Sequence, residues 1–224
     1  MTKKHPSIPA PSRRRAPIGL WRALRVLLVT ICNLFGGPEQ IAAEIALTRK
    51  THSLILPWLR AAEAFLRRLL LIEARALAIT PAPQRTQAQR APRPPRADTF
   101  VPEQPETWRV CFRMLEQRPP RRRPAVRTAP GRDRALRERD EPAPRFPSAR
   151  PVAERLEALL RAFNDPLPCA RRVARRLARC AALAARMLAP QPRALLNLVG
   201  PAFFRRADAL ARRALASPAI ADTS

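Results

Sequence analysis

Apolar residues recur at helical spacing in two blocks of the chain, and a block without any period lies between them. From Ile18 to Phe35, Leu20, Trp21, Leu24, Leu27, Leu28, Ile31, Leu34 and Phe35 surround a narrow polar stripe of Arg22, Arg25, Thr30 and Asn33. That pattern predicts an amphipathic helix. Gly36-Gly37-Pro38 then punctuates the chain, since glycine can take the left-handed position that ends a helix and proline fits the first turn of the next. A second stripe of Ile41, Ile45, Thr48, His52, Ile55, Leu59, Ala62, Leu66 and Leu69 predicts a long helix over 39–79. Pro57 lacks a backbone donor and crowds the preceding turn, so a kink or restart is expected at 53–57. Arg60, Glu63, Arg67 and Arg68 read as the exposed face of this helix, with Glu63 and Arg67 paired at i,i+4. Residues 17–79 are therefore expected to form a helical hairpin.

The second block, 151–216, repeats the helical period. Val152, Leu156, Leu159, Leu160 and Phe163 form a stripe that Asn164-Asp165-Pro166 ends. Cys169, Val173, Leu177, Cys180, Ala184, Met187 and Leu188 form another, predicting a helix over 168–188. A third helical region runs from Arg193 to Ala216, interrupted at Gly200-Pro201. Between the blocks, residues 80–150 hold 14 prolines and 17 arginines and have no period, which predicts a disordered linker. One island interrupts it at 107–115, where Trp108, Val110, Phe112 and Met114 alternate at period two. The island either docks on the helices or serves as a recognition segment. A basic tail (1–16) and a frayed end (217–224) complete the chain.

The expected fold is all-α: an N-terminal helical hairpin and a C-terminal helical module joined by a long disordered Pro/Arg-rich linker. The stripes of the two modules also suffice for one bundle of five or six helices with the linker looped out.

Composition changes this picture mainly through charge. The formal net charge is +26, carried by 40 arginines and only three lysines. Part of that excess is the signature of a GC-rich, bacterial genome. Whatever its origin, such a chain attracts nucleic acid, anionic lipid or acidic protein. Twenty-seven prolines leave no room for a large buried sheet. The four cysteines contain no C-x-x-C pair and have only two histidines beside them, so four reduced thiols in a cytoplasmic protein are expected, with no metal. No phosphate-binding glycine loop, nucleophile elbow or zinc-protease motif occurs. The expected class is a non-enzymatic interaction or adaptor protein, with no cofactor, no small-molecule substrate and a protein partner that the residues do not identify.

Two surfaces are candidates for that interaction. In the first, Trp21, Arg22, Leu24, Arg25, Leu28 and Phe35 contact an anionic membrane at the inner face of the cytoplasmic membrane, helped by the basic tail. The longest charge-free run there, Val26 to Pro38, is 13 residues, short of the roughly 20 that a spanning helix needs. The alternative for the same helix is packing against 39–79. The second surface comprises Arg171, Arg172, Arg175, Arg176, Arg179 and Arg186 on the helix predicted over 168–188. No acidic residue lies in that stretch, and like charges at i,i+4 repel. The alternatives are an ordinary solvated face partly neutralised by Glu154, Glu157 and the stretch Glu138-Arg139-Asp140-Glu141, or a polyanion site that takes nucleic acid without sequence specificity.

Overall fold

The computed structural model describes residues 15–44, 46–77, 100–114, 147–180, 182–189, 197 and 200–216. The helices are α1 (Ile18–Phe35), α2 (Pro38–Ala43), α3 (Arg49–Arg75), α4 (Arg150–Asn164), α5 (Pro166–Leu177), α6 (Ala182–Met187) and α7 (Pro201–Ala216). The protein is all-α among the described residues. The tail 1–14, most of the Pro/Arg-rich stretch (78–99 and 115–146) and the end 217–224 lie outside them.

Local signals account for most helix ends. Gly36 closes α1 at φ +89°, its N–H donating to the Cys32 carbonyl at 3.0 Å. At that positive φ an L side chain would be strained, so the position favours glycine conformationally. Pro38 opens α2, and Pro151 lies in the first turn of α4. At the other end of the hairpin, the N–H groups of Arg15 and Ala16 donate to the Glu73 carboxylate at 2.9 and 3.1 Å. That clamp sets the start of α1 beside the end of α3, so the hairpin is antiparallel.

The second helix departs from expectation. It breaks at 44–48 and not at 53–57, and α3 runs without interruption through Pro57. Thr48 caps α3 by accepting from the Thr51 N–H at 3.1 Å. The break is also held from a distance: Leu47 N–H donates to the Pro147 carbonyl at 2.9 Å, and Ala46 bridges to Ser148.

Both blocks close on α3, which packs against α1, α4, α5, α6 and α7. One continuous apolar cluster joins Leu20, Trp21 and Ile31 of α1 to Phe65 and Leu69 of α3, Phe163 of α4, Val173 of α5 and Phe204 of α7. Ring contacts mark two seams, Trp21 with Phe163 at 5.9 Å and Phe65 with Phe204 at 6.0 Å. The described parts of the two modules thus share one core.

Every residue of α3 from Ala61 to Ala74 is buried, as befits a helix surrounded on all sides. This corrects the charged face expected on that helix. Arg60 is exposed, whereas Glu63, Arg67 and Arg68 are 6, 4 and 1% exposed. Each is held by charge-assisted bonds. Arg155 of α4 grips Glu63 with two bonds of 2.9 Å, and Arg67 adds a third at 3.1 Å. Arg68 donates to Asp208 of α7 and to the Ala64 carbonyl, both at 2.9 Å, and lies 4.3 Å from the centre of the Phe204 ring. Burial pulls the Arg68 guanidinium below its ordinary pKa, and Asp208 opposes that shift by charge and hydrogen bond.

The apolar island docks as an extended strap with no sheet partner among the described residues. Trp108, Phe112 and Met114 are buried and Val110 is half-buried, so the period-two alternation is real without a strand. A short 3-10 turn, Pro105–Thr107, precedes it. Trp108 Nε1 donates to the Val101 carbonyl at 2.6 Å, and Phe100 packs 4.7 Å from the Trp108 ring.

Glu63→Ala should therefore destabilise the protein by about 3–5 kcal/mol, because it strands Arg67 and Arg155 against the core. Glu154→Ala, which removes only a surface pair with Arg150, should cost under about 1 kcal/mol. Urea unfolding followed by circular dichroism would show the contrast, and equal losses would contradict it.

Candidate polyanion interface

Of the residues offered for membrane contact, Trp21, Leu24 and Leu28 lie fully inside the core. Arg22 is exposed, while Arg25 and Phe35 are half-buried. Periodicity marks an apolar face but does not say what covers it, and here α3 and α4 do. The large apolar residues of α1 left to solvent are others: Ile18, Val26 and Leu34 are exposed. The stretch Ile18–Ala43 is long and apolar enough to cross a membrane by length and composition, and one third of its most apolar window is buried in the bundle. The left-handed Gly36 interrupts it between α1 and α2.

The arginine stripe is not carried on one helix. α5 ends at Leu177, Ala178 and Arg179 turn, and α6 begins at Ala182. Arg171, Arg172, Arg175 and Arg176 belong to α5, Arg179 to the turn, and Arg186 to α6. The turn brings Leu183, Met187 and Leu188 into the core and leaves Cys180 exposed, whereas the expected unbroken helix put Cys180 on the apolar side. No proline or glycine marks the break. Arginine repulsion at i,i+4 weakens helix continuation there, and docking of α6 on α3 supplies the compensation.

α5 itself is strongly two-sided. Cys169, Ala170, Val173 and Ala174 face the core. Arg171, Arg175, Arg176 and Arg179 are exposed, and Arg172 is half-buried with its guanidinium donating to Cys111 Sγ on the strap. The acids expected to neutralise this face are engaged elsewhere. Glu154 pairs with Arg150 at 2.7 Å, and Glu157 with Arg161, both within α4. Glu63 holds Arg67 and Arg155, and Asp208 holds Arg68 and Arg212. Among the described residues, Arg171, Arg175 and Arg176 form no ion pair. Residues 138–141, the remaining acidic stretch, lie outside the described part.

The thiols divide by burial. Cys111 and Cys180 are exposed. Burial pushes the half-buried Cys32 thiol up to about 11, with the charge of Glu39 adding to the shift. Cys169 is also raised, by burial first, with Arg172 opposing. No group of three or more metal-ligating side chains occurs among the described residues. Compared with known protein families, characterised proteins and solved structures, the chain matches none.

A raised pKa keeps the Cys32 sulfur protonated until the pH approaches 11, and only the thiolate is nucleophilic. At pH 8, iodoacetamide should label Cys180 at least about a hundredfold faster than Cys32, with the Cys32 rate climbing toward pH 11. Peptide mapping after timed labelling measures both. Comparable rates at pH 8 would contradict the burial assigned to Cys32.

Proposed function

We propose that this is a non-enzymatic interaction protein whose α5 arginine surface docks on nucleic-acid phosphates without reading base sequence. The observation that carries this reading is the disposition of the acids. Glu63 of α3, Glu154 and Glu157 of α4 and Asp208 of α7 are spent on inward or same-helix arginines, and Glu73 on the backbone before α1, which supports an outer face of α5 that keeps its charge. Guanidinium groups suit phosphate because their planar donors match two oxygens at once. Arg179 and Arg186 continue the charge beyond α5. The bacterial cytoplasm belongs to the same reading.

A second reading, peripheral attachment to an anionic membrane through the basic tail and α1, rests on a different observation. Ile18, Val26 and Leu34 are exposed on α1 close to Arg22 and Asn33. It requires these residues, and not Trp21, Leu24 and Leu28, to meet the lipid.

Salt dependence tests the first reading. Affinity for a labelled duplex, measured by fluorescence anisotropy between about 50 and 200 mM salt, should fall steeply. The triple substitution Arg171→Ala, Arg175→Ala, Arg176→Ala should flatten the slope of log K against log salt by about two to three units. An unchanged slope would sink the nucleic-acid reading. Co-sedimentation with anionic vesicles in the absence of duplex binding would favour the membrane instead.

A further inference from the structure

Phe203 and Phe204 are neighbours in sequence with opposite surroundings. Phe204 is buried against Phe65, with the Arg68 guanidinium over its ring. Phe203 is 46% exposed, and among the described residues it is the only exposed aromatic. Phe204, Ala207 and Ala211 turn α7 toward the core. At about 100° per residue, Phe203, Arg206, Leu210 and Arg213 then share about 80° of arc on one flank of that buried face. Phe203, Arg206 and Arg213 are exposed and Leu210 is half-buried. Asp208, the one acid of α7, lies on the other flank, where it pairs with Arg68 at 2.9 Å and Arg212 at 2.8 Å. The strip is therefore aromatic and cationic, with no carboxylate from its own helix. Among the described residues, Arg206 forms no ion pair.

We propose that Phe203 and Arg206 form a base-stacking site on α7, which makes the protein prefer single-stranded over double-stranded nucleic acid. This rests on the nucleic-acid reading of α5 and narrows it to a substrate class. The exposed phenyl ring offers the π-face of an unpaired base a flat apolar partner, and such stacking tolerates any base. The guanidinium three residues along, on the same side of the helix, takes the phosphate beside that base or stacks on the next one. In a duplex the base faces are already stacked on one another, so Phe203 gains nothing there. A lipid surface would be met by several apolar side chains on one face, whereas this strip offers one exposed ring beside two exposed arginines.

The test uses the full-length protein and two labelled probes, an oligothymidylate of about 20 nucleotides and its duplex with oligoadenylate, titrated by fluorescence anisotropy at one salt concentration. The single strand should bind more tightly than the duplex. Phe203→Ala should weaken single-strand binding by about fivefold to a hundredfold, with duplex binding and helical circular dichroism unchanged. Phe203→Trp should keep the single-strand affinity, and its extra emission over the unsubstituted protein should be quenched by the single strand and not by the duplex. Equal binding of the two probes, or single-strand binding indifferent to Phe203→Ala, would overturn the stacking site while leaving the α5 reading in place. Equal losses on both probes would overturn it as well, as would Phe203-dependent binding to anionic vesicles without binding to oligothymidylate. Absence of binding to either probe would remove the α5 reading and the stacking site together.

Discussion

The structure depends on how the central helix satisfies its charges out of water. Between Ala61 and Ala74 every α3 residue is buried, and four of them are Glu63, Arg67, Arg68 and Glu73. An uncompensated charge in such a place costs several kcal/mol, so each must be met by a partner from another part of the chain. Arg155 of α4 meets Glu63, Asp208 of α7 meets Arg68, and the backbone before α1 meets Glu73. The strap supplies the Arg113 carbonyl to Arg67. Docking of these elements and burial of α3 are therefore one event. The apolar contacts supply most of the attraction, and the charges dictate where each element sits.

That internal demand also shapes the outer surface. The chain has 17 carboxylates against 43 basic residues, and Glu154, Glu157 and Asp208 of α4 and α7 are drawn toward α3 or toward arginines of their own helix. On α5 the consequence is a two-sided helix, with Cys169, Ala170, Val173 and Ala174 inside and Arg171, Arg175 and Arg176 exposed and without ion pairs among the described residues. The net charge of the protein and the architecture of its core are thus linked through the same few acids.

The helix boundaries at Phe35, Asn164 and Pro201 were legible in the sequence because glycine and proline act locally. The antiparallel hairpin and the apolar faces of α1, α4 and α5 were legible for the same reason, through their period. The breaks between α2 and α3 and between α5 and α6 were not. The first depends on pairing with Pro147 and Ser148, about 100 residues away, and the second on docking of α6. Glu63, Arg67 and Arg68 read as a solvated face because an i,i+4 ion pair looks the same in sequence whether water or α4 lies beyond it. The strap's alternation was legible, but its docking was one of two alternatives, since Arg67, Arg161 and Arg172, which hold it, come from three separate helices. Of the candidate site, the identity of the α5 arginines was legible; that Glu154 and Glu157 pair within α4 and not with α5 was not, because acid partners are chosen by tertiary packing.

The central claim is that α3 and the C-terminal helices protect one another as a single core. Native-state hydrogen exchange tests it most directly. Amides of α3 between Ala61 and Ala74 should share one opening free energy with those of α4 and α5, and destabilising α4 by Phe163→Ala should lower all three together. Protection of α3 that is unchanged when α4 is destabilised would contradict the account, because the hairpin would then hold its charges buried without the partners described.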